Sequence, residues 1–372
     1  MIGMEDARAL GLDPRPLEQL VETIDGHIAE GRYPGAEIAV ARHGRLALNR
    51  RFGRARLDPP RDATDGTLWL LFSNTKVITA AAVWKLVADG RLRFTDPVAM
   101  HLPGFEAHGK GQQSVLELLT HQGGFPNSDM PPEAWEDREA RRRAVIGFEA
   151  EWTPGSRVHY HAGAAHWAAA ALIEAVSGRD FRAFIRDEVI TPLGLENEVF
   201  VGLPDSEHGR AVDMHAPAEG GGFDLLAERN TPEIRRAGIP GGGGYATAKG
   251  MAAFYQMLVQ GGRLEDVQLF SPRLVAYCTR NWTGDRVDER FEMPMHRGIG
   301  PHVRGRTQTI RGLGSLGHES VFGHGGVGSS YCWADPASGV SFAYLTNCLY
   351  PEPWHSERLD TVSNFVHMAI LE

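Results

Sequence analysis

A serine and a lysine three residues apart are the first pair in this sequence that could carry out chemistry. Ser73 and Lys76 lie in the stretch FSNTKVITAAAVWKL, and Lys76 is one of four lysines in a chain with 34 arginines. Residues three apart on a helix share a face, so their side chains can meet. A serine hydroxyl becomes a good nucleophile when a base takes its proton, and burial can lower the pKa of a lysine enough for that task. The spacing therefore indicates a nucleophile and its base.

The element that must position this pair is predicted to be a helix. It should begin at or just before Ser73, after the apolar run LWLLF, and end at Gly90. Free N–H groups at its start would favour negative charge on the serine oxygen. The alternative is that Ser73 only caps the helix and Lys76 points into solvent. Because the helix is apolar nearly all round, we favour the catalytic interpretation.

The rest of the chain predicts a mixed fold of the α/β (α+β) class. An amphipathic helix over residues 17–30 precedes a hairpin whose turn is His43-Gly44, and β patterns return in HESVFGHGG, SSYCWADP and VSFAYLTN before a last helix near residues 357–371. Helical patterns fill the middle, and Thr247 could cap a helix over about residues 248–260. We expect one domain, 1–372: an antiparallel sheet from the N- and C-terminal segments (1–95 and 240–372), flanked by helices, with an inserted, mostly helical lobe (96–239).

Composition and charge exclude several classes of protein. The net charge of −9 is spread along the chain, which argues against a nucleic-acid or anionic-membrane partner. The first twenty residues lack a signal-peptide core, and the run WAAAALIEAV is too short to span a bilayer. Cys278, Cys332 and Cys348 have no metal-binding spacing and cannot all pair, as in proteins of reducing compartments. We expect a cytoplasmic protein that acts on a small molecule; its oligomeric state is not readable.

Other kinds of catalytic site fit the sequence less well. His159, His161 and His166 cluster, but HExxH is absent and the i, i+5 spacing of the last two does not share a helical face. The glycine run GGGGYATAKG is not followed by Gly-Lys-Ser/Thr, so it is not a phosphate loop. No serine lies in Gly-x-Ser-x-Gly, which disfavours an α/β-hydrolase. No metal or other cofactor is expected.

Several segments beyond the Ser73–Lys76 pair follow one another in a recognisable order. They are the extended stretch FSNTKVITAAAVWKLVADGRLRFTDPVAMHLPGF, then LELLTHQGGFP, WTPGSRVHYHAGAAHW, GIPGGGGYATAKGMAAFYQML and GHGGVGSS. Together they resemble the serine β-lactamase and penicillin-binding-protein superfamily, and within it class C-like hydrolases and family VIII carboxylesterases. The resemblance covers about residues 20–370.

The resemblance implies a role for each matching residue. Ser73 would be the nucleophile, Lys76 the base or proton shuttle, and Tyr160 a second proton-transfer group that also protonates the leaving group. The backbone N–H groups of Ser73 and Val327 would form the oxyanion hole, where each donor is worth about 3 to 4 kcal/mol in comparable sites. His324, Gly325 and Gly326 would edge the site on a strand and contact substrate, as would His161.

Two departures from the family pattern bear on the substrate. Where β-lactamases have Tyr-x-Asn, this chain has Tyr160-His161-Ala162, and the lysine that usually opens the third motif is His324. A histidine with a pKa of about 6.5 is mostly neutral at pH 7, so it offers no fixed charge for a substrate carboxylate. Taken singly, Tyr160 could be a core tyrosine, His324 a loop histidine, and Val327 a packing residue.

We therefore expect a serine hydrolase that works through an acyl-enzyme, a carboxylesterase on small neutral esters or lactones. The alternatives on the same fold are a β-lactamase, a D-amino-peptidase or amidase, or an acyltransferase; a non-catalytic binding protein is a further one. Residues 290–305 and 126–143 carry Met, Phe and Trp and are predicted to line or cover the cleft.

Overall fold

A computed structural model of the chain describes residues 2–307 and 311–371. The α-helices are α1 (Pro14–Ala29), α2 (Thr75–Ala88), α3 (Val98–His101), α4 (Val115–Leu119), α5 (Arg138–Ile146), α6 (Ala164–Ser177), α7 (Phe181–Ile185), α8 (Pro232–Ala237), α9 (Ala248–Val259), α10 (Pro272–Thr279) and α11 (Trp354–Ala369). The strands are β1 (Gly35–Arg42), β2 (Arg45–Arg56), β3 (Arg61–Asp62), β4 (Trp69–Leu70), β5 (Val199–Val201), β6 (His215–Pro217), β7 (Phe223–Leu225), β8 (Gly244–Ala246), β9 (Arg263–Leu264), β10 (Val267–Gln268), β11 (Val287–Asp288), β12 (Met293–Pro294), β13 (His302–Val303), β14 (Phe322–Gly325), β15 (Tyr331–Asp335) and β16 (Val340–Thr346).

The principal sheet is antiparallel and joins the two ends of the chain, which confirms the predicted fold class. Its spatial order is β13-β14-β15-β16-β1-β2-β3, so the C-terminal β16 pairs with the N-terminal β1. The hairpin between β1 and β2 turns at His43 and Gly44, which have φ angles of 51° and 76°. Positive φ at both central residues is the geometry that matches the twist of a two-residue hairpin.

Both faces of this sheet are covered by helices, and β1 shows why. All eight of its residues are buried: Ile38 and Val40 face one hydrophobic cluster, while Ala39 and Ala41 face the other. Helices α1 and α11 pack on the first face and α9 packs on the second. A strand covered on both sides reads as a continuous apolar run, as residues 38–41 (IAVA) do, although the buried Glu37 precedes them.

The middle of the chain is mostly helical, as predicted. Helix α2 packs against α6, and the hydrophobic cluster around them continues to the sheet face under α9. Thr247 caps α9 as expected, because its Oγ1 accepts the N–H of Gly250. Helix α7 is short, because the chain passes directly from it into a π-turn (Arg186–Ile190) and a 3-10 turn (Thr191–Leu193). The lobe boundaries at 95/96 and 239/240 stay a prediction. In the described part of the chain, none of the helices combines the length and apolarity needed to cross a bilayer.

Candidate active site

Ser73 lies in a tight turn at the start of α2 rather than in the α-helix itself. A 3-10 turn covers Phe72–Asn74 and α2 begins at Thr75, so the expectation that the helix starts at Ser73 is wrong by two residues. Phe72 has a φ of 45°, a left-handed conformation that is uncommon for an aromatic residue and that turns the chain into α2. Asn74 holds the turn in place, because its Nδ2 donates to the Oγ of Ser330 at 3.0 Å.

Lys76 is buried and points at the serine, which contradicts the alternative that it is solvated. Its Nζ donates to Ser73 Oγ at 3.1 Å and to the carbonyl oxygens of Ala162 (2.7 Å) and Gly241 (2.6 Å). The residue is 0% exposed, and burial lowers the pKa of its ammonium below the ordinary value; the neighbouring Tyr160 opposes that shift. The pKa of Lys76 is therefore shifted in the direction that a proton acceptor requires.

Tyr160 comes from a distant loop but touches the same oxygen. Its phenol donates to Ser73 Oγ at 2.8 Å, and Lys76 Nζ lies 5.2 Å from the centre of its ring. Its backbone N–H is held by Asp288 Oδ1 at 3.1 Å. The structure thus brings Ser73, Lys76 and Tyr160 together as the sequence predicted, with two proton-exchanging groups on one hydroxyl.

The strand β14 forms the wall next to this cluster. Gly326, just beyond its end, passes so close to the serine turn that a Cβ there would lie 2.7 Å from Leu71 O and 3.0 Å from Phe72 Cβ. Gly325, Gly326 and His324 all line the cavity, in the place that the sequence predicted. Burial lowers the pKa of His324 well below its usual value, so its imidazole is neutral.

Val327 stands at the cavity with its side chain 64% exposed. Within residues 2–307 and 311–371, no acceptor is hydrogen-bonded to its backbone N–H, so the donor is free for a ligand. Its use with the Ser73 N–H as an oxyanion hole stays a prediction, and the two residues do line one cavity.

His161 does not reach the cavity, so its expected contact with substrate is wrong. The residue is 0% exposed; its Nε2 accepts the N–H of Phe125 at 3.1 Å and its Nδ1 donates to His159 O at 2.7 Å. Burial lowers its pKa to about 4, which keeps both roles fixed in the neutral imidazole. Successive residues of an extended segment point in opposite directions, and Tyr160 is the one that faces the serine.

The cavity has a volume of about 630 Å³ and Ser73 lies on its wall. Its apolar lining includes Phe291, Met293 and Met295, from the segment predicted to cover the cleft. The other predicted segment, 126–143, contributes no lining residue; Met130 and Ala134 are instead buried in the hydrophobic core. Apolar side chains in that segment pack inward, so their composition was misleading.

Sequence reasoning missed the parts of the site that are supplied by backbone. The glycine-rich segment, for which the sequence only excluded a phosphate loop, holds α2: Gly241 O accepts from Lys76, and Gly244 N donates to Thr75 Oγ1 at 2.9 Å. A Cβ on Gly241 would lie 3.2 Å from Lys76 Nζ, which explains the need for glycine there. Among the described residues, no cluster of three or more His, Cys, Asp or Glu side chains could hold a metal ion.

Comparison with known proteins decides the family. The family model described as Beta-lactamase matches residues 19–363. The chain belongs to the Beta-lactamase family. The esterase/beta-lactamase LipL of Mycobacterium tuberculosis is 27% identical over 315 residues, in a match that covers 75% of this chain and 69% of LipL.

Solved structures agree with this membership of the Beta-lactamase family. A penicillin-binding protein homologue from Caulobacter crescentus superposes with a TM-score of 0.82 at 28% identity, over 95% of this chain and 98% of the homologue. A family VIII carboxylesterase shares the fold, with a TM-score of 0.82 at 24% identity over the same shares of the two chains. The protein is a hydrolase of the serine β-lactamase and penicillin-binding-protein fold.

Proposed function

We propose that the protein is a carboxylesterase that acts on small neutral esters or lactones through an acyl-enzyme. One observation carries the proposal: Ser73 Oγ, on the wall of an apolar cavity, is hydrogen-bonded by both Lys76 Nζ and Tyr160 Oη. Ser73 attacks the ester carbonyl carbon while its proton passes to the neutral amine of Lys76, the phenol of Tyr160 relays it to the leaving oxygen, and the oxyanion rests on the N–H groups of Ser73 and Val327. The alkoxide leaves with that proton, and water then releases the acid and restores Ser73.

The choice of a neutral substrate is supported by the charges around the cavity. His302, His324 and His355 line it, and burial lowers the pKa of each, that of His355 to about 3. The cavity lining contains one positively charged residue, Arg290, and one negatively charged residue, Glu352. A substrate carboxylate would therefore find no excess of positive charge, unlike a site whose third motif opens with lysine.

The test is Ser73→Ala with a panel of substrates. Hydrolysis of short-chain nitrophenyl esters should vanish while the melting temperature stays within a few degrees of wild type, and a fluorophosphonate probe should add its mass to Ser73 in the wild type alone. Turnover that persists in Ser73→Ala would refute the nucleophile.

The same panel tests the substrate class. A chromogenic cephalosporin turned over faster than simple esters would show a β-lactamase instead, and acyl product on an added alcohol would show transfer rather than hydrolysis. LipL is named for both esterase and β-lactamase, so both assays belong in the panel. A cytoplasmic location stays a prediction, based on three cysteines that are all buried and unpaired.

A further inference from the structure

A buried arginine lies against the face of the Tyr160 ring. The guanidinium carbon of Arg297 is 5.0 Å from the centre of that ring and 5.8 Å from the centre of the Phe291 ring. Arg297 is 1% exposed, and among the described residues its Nε and Nη1 have no hydrogen-bond partner. A cation that is poorly solvated acts strongly on an aromatic face and on nearby charges.

One carboxylate connects this arginine to the tyrosine. Asp288, 0% exposed, accepts from Arg297 Nη2 at 2.5 Å through Oδ2, and its Oδ1 accepts the backbone N–H of Tyr160 at 3.1 Å. Strand β11, which contains Asp288, forms a parallel bridge to Val158, two residues before the tyrosine. Asp288 thus binds the main chain of Tyr160, and Arg297 lies against the Tyr160 ring.

Arg290 also lines the cavity that contains Ser73, but the guanidinium that lies over the Tyr160 ring is that of Arg297. His324 stands where the family pattern has a lysine, and burial keeps it neutral. Arg297 also lowers the pKa of Lys76, although less than burial does. The titratable and charged groups that surround Lys76 and the phenol, from every element packed against them, are His121, His159, His161, His166, Asp288, Arg290, Arg297, His302, His324 and Tyr331.

We propose that Arg297, held by Asp288 against the Tyr160 ring, is a positioning residue of this site and supplies a permanent positive charge beside the tyrosine. The inference rests on the proposed function, since it concerns the activation of Ser73. A positive charge stabilises a phenolate relative to a phenol and an amine relative to an ammonium. Arg297 contributes to the lowered pKa of Lys76, so it makes that amine available as a base at lower pH.

Arg297 and Asp288 carry opposite charges, so removing both and removing Asp288 alone should shift the pH dependence of Ser73 labelling in opposite directions. The readout is the rate at which a fluorophosphonate labels Ser73 between pH 5 and 9: Oγ bonds to phosphorus, fluoride leaves, and the serine proton passes to the base. The acidic limb is the part of the pH–rate profile in which the labelling rate falls as the pH drops. In Arg297→Met/Asp288→Asn this limb should move to higher pH by about one unit, so that labelling on the limb is about tenfold slower. Asparagine still accepts the Tyr160 N–H. Asp288→Asn alone leaves the cation uncompensated and should move the limb down.

Two further variants separate charge from structure. Arg297→Lys keeps the cation and should retain the wild-type limb. Arg141→Met/Glu174→Gln is the matched control, because Arg141 is also 1% exposed, pairs with Glu174 at 2.5 Å and lies 5.3 Å from the Phe181 ring. The control should lower the melting temperature and leave the limb unchanged.

The outcomes distinguish this inference from the proposed function. If the acidic limb of Arg297→Met/Asp288→Asn coincides with that of wild type, the pair is only structural and the inference is wrong. The same conclusion follows if the double variant and Asp288→Asn alone shift the limb in the same direction. If the double variant does not fold, the test is the acidic limb of the two other variants, which should move to lower pH in Asp288→Asn and stay in place in Arg297→Lys. If wild-type Ser73 is not labelled at any pH, the proposed function fails instead.

Discussion

At the scale of single residues, Lys76 is the side chain whose environment most directly determines chemistry. It is fully buried, yet three oxygen atoms accept from its Nζ, and two of them are backbone carbonyls from loops far apart in sequence. A buried ammonium that retains such partners can exist, while desolvation still favours losing its proton. Lys76 therefore ties separate loops together, and in the proposed function it is also the base.

Lys76→Met should remove the base while largely retaining the volume of the side chain. We expect kcat/KM for a nitrophenyl ester to fall by about 10²- to 10⁴-fold, the usual contribution of a positioned base. Steady-state kinetics and intact mass after probe labelling would measure it.

Lys110→Met is the control for that substitution. Lys110 is also 0% exposed, its Nζ donates to the carbonyls of Ala107, Ile146 and Phe148, and burial lowers its pKa to about 8. The Lys110→Met variant should be less stable than wild type and should keep the wild-type turnover. Equal losses of activity in Lys76→Met and Lys110→Met would mean that the effect of Lys76→Met comes from lost folding stability and not from the loss of a base.

At the scale of elements, the site depends on how closely β14 approaches the turn that carries Ser73. Gly326 N–H donates to Ser330 O at 2.8 Å, and Ser330 Oγ accepts from Asn74 in that turn. The strand and the turn are therefore connected through one serine, with no room for a side chain at residue 326. The distance between the two N–H donors of the expected oxyanion hole follows from this contact.

Gly326→Ala should push the strand away from the turn. The new Cβ would lie 2.6 Å from Ser330 Oγ and 2.7 Å from Leu71 O, and backbone cannot yield cheaply. We expect about 1 to 3 kcal/mol less unfolding free energy and at least a tenfold lower kcat, measured by urea denaturation and ester kinetics. Gly209→Ala, where no atom lies within 4 Å, should change neither; an unaffected kcat in Gly326→Ala would disprove the role of the contact.

At the scale of the whole molecule, buried neutral histidines make the fold sensitive to acid. Burial lowers the pKa of the following histidines below the ordinary value of about 6.5: His121, His161, His166, His302, His324 and His355. The unfolded chain binds protons at these positions below pH 6.5 and the folded chain does not. Stability is therefore full above pH 6.5 and falls as the pH drops towards the folded values, about 4 for His161 and about 3 for His355.

We expect the unfolding free energy to decrease steadily between pH 7 and pH 5. Each histidine contributes up to about 1.4 kcal/mol per pH unit below its unfolded pKa. Glu37, whose pKa burial raises to about 7, and Glu174, whose pKa burial also raises, act in the opposite direction but are fewer than the histidines. Urea denaturation at several pH values would measure the slope; a stability that stays level or rises towards pH 5 would contradict it.

The sequence by itself determined the elements and the order of the motifs. Alternation and apolar runs predicted β1, β16 and the helices between them, because local periodicity follows from which face of an element is buried. The spacing of Ser73 and Lys76 was equally local, so their contact could be predicted from one turn of helix.

Only the tertiary structure decided which distant groups complete the site. Tyr160 lies 87 residues from Ser73, and Gly241 lies 165 residues from Lys76. Nothing in the local pattern indicated that Tyr160 faces the cavity while His161 turns into the core, or that Arg297 and Asp288 pack against the tyrosine. Such contacts depend on how separate segments are rotated and docked, which is set by packing across the whole molecule and not by neighbouring residues.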